Sequence, residues 1–136
     1  MEKNFLGIDY GEKRIGLALA GEKERIARAF KIIRQLKELD DIVPAKNVAA
    51  FVIGLPLQPD GTEGDTAASA RLFVARLQEK YALPVYWQDE RKSSVAAESY
   101  LKEGLFMRPD KRKEILDAES ARVILQRWLE QNGDVK

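Results

Sequence analysis

Four acidic residues stand at two strand ends and on the inward face of a predicted helix. Asp9 follows the first apolar run of the chain, and the adjacent Asp89 and Glu90 follow a later one. Asp117 falls on the apolar stripe of the last predicted helix. Burying an unpaired carboxylate is costly, so a structural helix would favour leucine there. If these side chains converge, their mutual repulsion requires cations, and two divalent ions held by carboxylates are a known arrangement for phosphodiester hydrolysis.

Each acidic position also has a simpler interpretation. Asp9 could be an ordinary turn residue, because aspartate is common in turns. The acidic pair at 89–90 could be a solvent-facing charge cluster at the point where a strand leaves the core. Asp117 could form a structural salt bridge with an arginine such as Arg14 or Arg91. Only the tertiary structure can decide among these interpretations.

The amino-acid composition restricts the available chemistry. The chain of 136 residues contains neither histidine nor cysteine, which excludes typical zinc sites and the Ser–His–Asp and Cys–His mechanisms. Any metal would be held by oxygen ligands, which suit Mg²⁺ or Mn²⁺. The net charge is only +1, so a nucleic-acid-binding surface would have to be a local patch. We see no signal peptide and no apolar run that could span a membrane, and we expect a cytoplasmic protein.

Basic residues crowd the loop and first turn before Asp117. Cations at a helix N-terminus oppose the helix dipole by about 0.3–1 kcal/mol each, so another benefit, such as phosphate binding, is expected. For any single residue, a solvated surface position remains the simpler alternative. The candidate nucleic-acid-binding residues are Lys13, Arg14, Arg71, Arg91, Arg108, Lys111, Arg112 and Lys113.

The order of the predicted elements indicates an α/β fold. Strands come first as a meander and then alternate with helices, which favours a mixed sheet flanked by helices in one domain over residues 1–136. In such sheets the site usually lies at the carboxyl ends of the parallel strands. Strands are predicted at 5–8, 14–20, 29–33, 49–54 and 85–87, and helices at about 36–43, 66–81, 93–103 and 110–132.

Four motifs of this chain resemble those of the YqgF/RuvX-like family, in the family's order and across nearly the whole length. They are FLGIDYG with RIG at 5–16, VIGLPL with DG at 52–61, DER at 89–91, and LDA with IL at 116–125. The first motif alone is shared with sugar kinases and actin-like ATPases, whereas the four together are specific.

The resemblance implies a ribonuclease H-like fold related to Holliday-junction resolvases. It also implies a bacterial cytoplasmic nuclease, proposed to mature the 5′ end of pre-16S ribosomal RNA. By the same resemblance, Asp9, Glu90 and Asp117 form the metal-binding catalytic set. Asp89 is a further candidate ligand, although only one of two neighbouring strand residues can point inward. Arg14, Arg71 and Arg91 are implied to bind substrate or order the site.

Four hypotheses remain open at this stage. The first is a metal-dependent endonuclease acting on structured RNA, with precursor ribosomal RNA as the leading substrate and ribosome-assembly intermediates as possible partners. The second is the same chemistry on branched DNA, whose two-fold symmetry would favour a homodimer. The third, an ATPase-like phosphate-binding module, is disfavoured because such proteins need two domains around a cleft. The fourth is a non-catalytic ribosome-assembly factor that binds RNA.

Overall fold

Within the described residues, a sheet of five strands is accompanied by three helices. The computed structural model describes residues 2–11, 13–58, 60–89 and 109–132, with the backbone alone for 109–115. The strands are β1 (Asn4–Asp9), β2 (Ile15–Gly21), β3 (Arg28–Ile33), β4 (Val48–Leu55) and β5 (Val85–Asp89). The helices are α1 (Leu39–Ala45), which follows a short 3₁₀ turn at Leu36–Glu38, α2 (Asp65–Tyr81) and α3 (Pro109–Gln131). None of these described helices is long and apolar enough to cross a membrane.

The strand order is β3-β2-β1-β4-β5. The first three strands form the predicted antiparallel meander, and β4 and β5 lie parallel to β1. The predicted mixed sheet is therefore confirmed. The last helix begins at Pro109, one residue before its predicted start, where a residue without a backbone N–H fits the first helical position. The helix predicted over 93–103 lies outside the described residues.

The sheet separates two hydrophobic layers. We name them the α2 face and the α3 face after the helix that each one packs against. Along each strand the side chains alternate between the two faces. The α2 face carries Leu6, Ile8, Leu17, Phe51 and Ile53, which pack with α1 and α2. The α3 face carries Ala18, Ala20 and Val52, which pack with Ala121, Ile124, Leu125 and Leu129 of α3.

Two glycines allow α3 to lie very close to the sheet. A Cβ atom added at Gly7 would stand 2.7 Å from the Leu125 Cβ, and one added at Gly16 would stand 2.1 Å from the Asp117 carbonyl oxygen. Neither distance leaves room for a methyl group. The position of α3, and with it the position of Asp117, therefore depends on hydrogen being the only substituent at these sites.

Side-chain hydrogen bonds attach the far end of α3 to the turn between β2 and β3. The Arg25 guanidinium donates to the carbonyl oxygens of Leu129 and Asn132, each at 3.1 Å, which satisfies acceptors that a helix C-terminus leaves without partners. The backbone N–H of Ala27 donates to Oε1 of Gln126 at 2.8 Å. The helix is thus held by glycine contacts between Asp117 and Leu125 and by hydrogen bonds at its C-terminal end.

The contact at Gly16 can be tested by substitution. Gly16→Ala would force α3 away from β2, and we expect it to lower the free energy of unfolding by at least the ~1–3 kcal/mol typical of overpacking. Gly21→Ala is the matched control in the same strand, because its added Cβ would meet only the flexible end of Glu2. Urea denaturation measures both. Equal stability of the two variants would contradict the close contact.

Candidate active site

Asp9 lies at the carboxyl end of β1 and belongs to the α3 face. Two residues earlier, Gly7 faces Leu125, and four residues earlier the Phe5 ring contacts the Trp128 ring with centroids 5.3 Å apart. Because side chains alternate along a strand, Asp9 continues this series toward α3. Its side chain is half-buried.

Asp117 lies next to Asp9 across the β1–β2 pair. Asp9 is the register partner of Gly16, and directly paired residues in antiparallel strands have Cα atoms about 4.5–5.5 Å apart. The Asp117 backbone rests on that same glycine. The structure therefore brings together two acidic residues that are 108 positions apart in the chain, at the edge of the sheet where the sequence predicted a site.

Arg14 forms an ion pair with Asp117, as one of the simpler interpretations of Asp117 proposed. Its Nε donates to Oδ2 of Asp117 at 2.8 Å, and the two side chains are 28% and 26% exposed. The pair places the carboxylate beside the β1–β2 turn, which begins directly after Asp9. A carboxylate has about four lone-pair directions, so one hydrogen bond from Arg14 does not prevent the group from also binding a cation.

Asp89 lies at the same edge of the sheet but on the other face. Val85 and Trp87 pack into the layer that contains α2, whereas the Tyr86 ring stacks on Trp128 of α3 with centroids 5.0 Å apart. Alternation along β5 therefore assigns Asp89 to the α2 face, away from Asp9. Glu90 lies outside the described residues.

The candidate basic residues lie in several different places. Lys13 is exposed in the β1–β2 turn. The first turns of α3 contain 111–113, four to six residues before Asp117, which is about 6–9 Å along the helix axis. Arg91 and Arg108 lie outside the described residues.

Arg71 is held on the α2 side of the sheet. Its guanidinium donates to both carboxylate oxygens of Glu63, at 2.7 and 2.8 Å, and lies 5.1 Å from the centroid of the Trp87 ring. The hydrogen bonds from Arg71 lower the pKa of the Glu63 carboxyl below its ordinary value. Arg71 therefore does not join Arg14 and Lys13 beside Asp117.

The available donors match the chemistry of a hard divalent cation. In the described parts of the chain, no cluster of three or more acidic residues is close enough to hold a metal, and the described acidic pair is Asp9 with Asp117. Carboxylate oxygens are the ligands that Mg²⁺ and Mn²⁺ prefer. The donor set at this edge therefore fits such an ion by type.

Sequence reasoning missed two features of this site. The close contact at Gly16 was not predicted, although glycines in two adjacent strands, Gly7 and Gly16, are a detectable signal of close helix packing. Gln88 was also missed. It is 7% exposed. The two-residue period of a strand could have identified Gln88 as a candidate site residue, because it is a polar residue two positions before Glu90 in the sequence.

The strand order and the acidic residues at the carboxyl edge define the class of protein. RuvC of Thermus thermophilus in complex with a Holliday junction substrate aligns with a TM-score of 0.55 at 16% identity, over 96% of both chains. A second Thermus thermophilus RuvC structure aligns with a TM-score of 0.53 at 15% identity. These similarities show the fold, which is ribonuclease H-like, as predicted.

Sequence comparison identifies the family within that class. Residues 3–131 match the profile of RuvX, described as Holliday junction resolvase. A Burkholderia ambifaria protein named "Putative pre-16S rRNA nuclease" is 44% identical over 98% of this chain and 93% of its own length, and a Burkholderia vietnamiensis protein of the same name is 42% identical over the same shares. The chain belongs to the RuvX family of nucleases, which confirms the resemblance found in its motifs.

The Arg71–Glu63 ion pair predicts a pH dependence of stability. A carboxyl whose pKa is lowered by folding stabilises the folded state above its unfolded pKa, and this contribution is lost as the pH falls through the folded pKa. We therefore expect the stability difference between wild type and Glu63→Gln to shrink as the pH falls below the ordinary Glu value of 4.5.

Urea denaturation at a series of pH values measures this difference. Glu79→Gln, at an exposed position of α2, the helix that contains Arg71, corrects for the general effect of removing one acid. A difference that grows on acidification would contradict the assignment.

Proposed function

We propose that this chain is a metal-dependent endonuclease that hydrolyses phosphodiester bonds in structured RNA and matures the 5′ end of pre-16S ribosomal RNA in the cytoplasm. The observation that carries the proposal is the convergence of Asp9 and Asp117 at the carboxyl edge of the sheet. A structural protein would gain little from two carboxylates placed side by side, because their charges repel each other.

In this proposal, Asp9 and Asp117 hold Mg²⁺ or Mn²⁺ together with Glu90, the third acid implied by the family motif. The metal supplies activation of the attacking water and stabilisation of the leaving oxygen. We do not include Asp89 in the proposed metal-binding set, because alternation along β5 assigns it to the α2 face. Glu90 is included on the strength of the family motif alone.

Arg14 has two effects on the site. Its hydrogen bond to Oδ2 holds the Asp117 carboxylate in one orientation, so the ligand is positioned before substrate arrives. Its positive charge also offsets part of the repulsion between Asp9 and Asp117 when no cation is present. We therefore assign Arg14 as a positioning residue.

The remaining cations would contact the nucleic-acid backbone. Lys13 in the β1–β2 turn and the basic residues 111–113 at the start of α3 lie at the same edge as Asp117, where they could neutralise phosphates on both sides of the scissile bond. Arg91 and Arg108 belong to the same proposed patch by their place in the sequence. Arg71, which is paired with Glu63 on the α2 side, contributes least.

The choice of precursor ribosomal RNA rests on the relatives. Proteins that share up to 44% of residues with this chain over 98% of its length carry a name that refers to pre-16S rRNA. A ribosome-assembly intermediate would then be the natural form of the substrate. Branched DNA is the second candidate, because the matching family is described as Holliday junction resolvase; cleavage of a two-fold symmetric junction would call for a homodimer.

The acidic pair can be tested by isosteric substitution. We expect Asp9→Asn and Asp117→Asn each to reduce the cleavage of labelled pre-16S rRNA in Mg²⁺ or Mn²⁺ by at least about a hundredfold, since losing a metal-binding carboxylate costs several kcal/mol of transition-state stabilisation. Asp41→Asn, at an exposed position of α1, is the matched control and should cleave like wild type. Wild-type rates in both site variants would end the proposal.

The substrate is tested by direct competition. One preparation is given precursor RNA and a four-way DNA junction of equal length, with and without chelator. We expect metal-dependent cleavage of the RNA at a higher kcat/KM than the junction. A preference for the junction by a dimeric protein would favour the second candidate, and chelator-insensitive RNA binding without cleavage would favour a non-catalytic assembly factor.

A further inference from the structure

Gln88 is a buried polar residue at the level of the candidate site. It lies in β5, one residue before the end of the strand, and is register partner of Gly54 in β4. Tyr86, two residues earlier in β5, packs against Trp128 of α3. Because side chains alternate along a strand, Gln88 lies on the α3 face as well. Only 7% of the residue is exposed to solvent.

The side-chain amide of Gln88 forms no hydrogen bond in the part of the chain that the structure describes. A buried amide that has lost water and gained no partner destabilises a fold, and such groups are rare in native proteins. Gln126 provides a contrast within the same layer, because its Oε1 accepts a hydrogen bond from the Ala27 backbone. Gln126 thus has a structural partner, whereas Gln88 has none among the described residues that would explain its burial.

Asp9, Gly54 and Gln88 form a row across three parallel strands. Ile8 pairs with Ile53, so the next residues, Asp9 and Gly54, stand at one level, and Gly54 in turn pairs with Gln88. Neighbouring strands are about 4.8 Å apart, so the Cα atoms of Asp9 and Gln88 are separated by about 10 Å. Between them, Gly54 contributes no side chain. An acid and an amide therefore lie on either side of a glycine that contributes no side chain to the α3 face.

We propose that Gln88 is a substrate-binding residue whose Nε2 donates a hydrogen bond to a non-bridging oxygen of the phosphodiester that lies beside Asp9. This assignment rests on the proposed nuclease function. A neutral amide suits the role because it donates to a phosphate oxygen without forming an ion pair with the nearby carboxylates. The hydrogen bond also satisfies the buried amide, which explains why a polar residue is kept at this position.

The test separates a role in substrate binding from a role in folding. Gln88→Met keeps a similar volume and removes the amide. We expect its melting temperature to equal or exceed that of wild type, because no hydrogen bond is lost on substitution. We expect its kcat/KM on the cleaved substrate to fall by about tenfold to a hundredfold, the usual effect of losing a hydrogen bond to a charged group.

Two matched controls use the same substitution elsewhere. Gln78→Met, at an exposed position of α2, should change neither melting temperature nor cleavage. Gln126→Met should lower the melting temperature, because it leaves the Ala27 N–H without its acceptor. A melting temperature of Gln88→Met that falls as far as that of Gln126→Met would show a structural role and overturn the assignment.

A phosphorothioate substrate provides the more specific readout. Replacing a non-bridging oxygen of the scissile phosphate with sulfur weakens a hydrogen bond to that atom, so the penalty for sulfur should be smaller in Gln88→Met than in wild type. If the sulfur penalty of Gln88→Met equals that of wild type for both phosphorothioate isomers, the assignment is overturned, while the nuclease activity still stands. An absence of cleavage by the wild-type protein would instead overturn the proposed function, and the assignment of Gln88 with it.

Discussion

The contact between the backbone of α3 and the glycines of β1 and β2 determines the geometry of the candidate site. Asp117 reaches Asp9 only because Gly16 has no side chain to keep the helix away from the sheet. A helix packed on larger side chains would lie several ångströms farther out, and Asp117 would then lie farther from Asp9. The acidic pair is thus a consequence of backbone packing.

The Arg14–Asp117 ion pair gives the same carboxylate a partner in the folded protein. A partly exposed pair of this kind adds little to stability, typically about 0–1 kcal/mol, so stability alone does not account for placing it at the edge of the sheet. The orientation of the Arg14–Asp117 hydrogen bond says more about the role of the pair. The bond fixes the direction of one Asp117 oxygen next to the turn that follows Asp9. The structural interpretation of Asp117 and the functional one are therefore compatible.

Two sets of polar residues lie at the same edge of the sheet but on its opposite faces. On the α2 side, Arg71 pairs with Glu63 and lies over the Trp87 ring, so both contacts of its guanidinium are on that side. On the α3 side, Asp9 and Gln88 lie on either side of Gly54, which has no side chain. Consecutive side chains of β5 point to opposite faces of the sheet. Gln88 and Asp89 are adjacent in sequence but therefore have different surroundings.

The order of the elements, the mixed sheet and the oxygen-only chemistry could be predicted from the sequence. Apolar runs and helical stripes are local patterns, and the absence of histidine and cysteine is a matter of composition. Which residues meet could be learned only from the folded structure. The choice of Arg14 as the partner of Asp117, the separation of Arg71 from the site and the burial of Gln88 all depend on register and on the distance between helix and sheet. Those quantities arise from contacts between residues far apart in the chain, which no local pattern records.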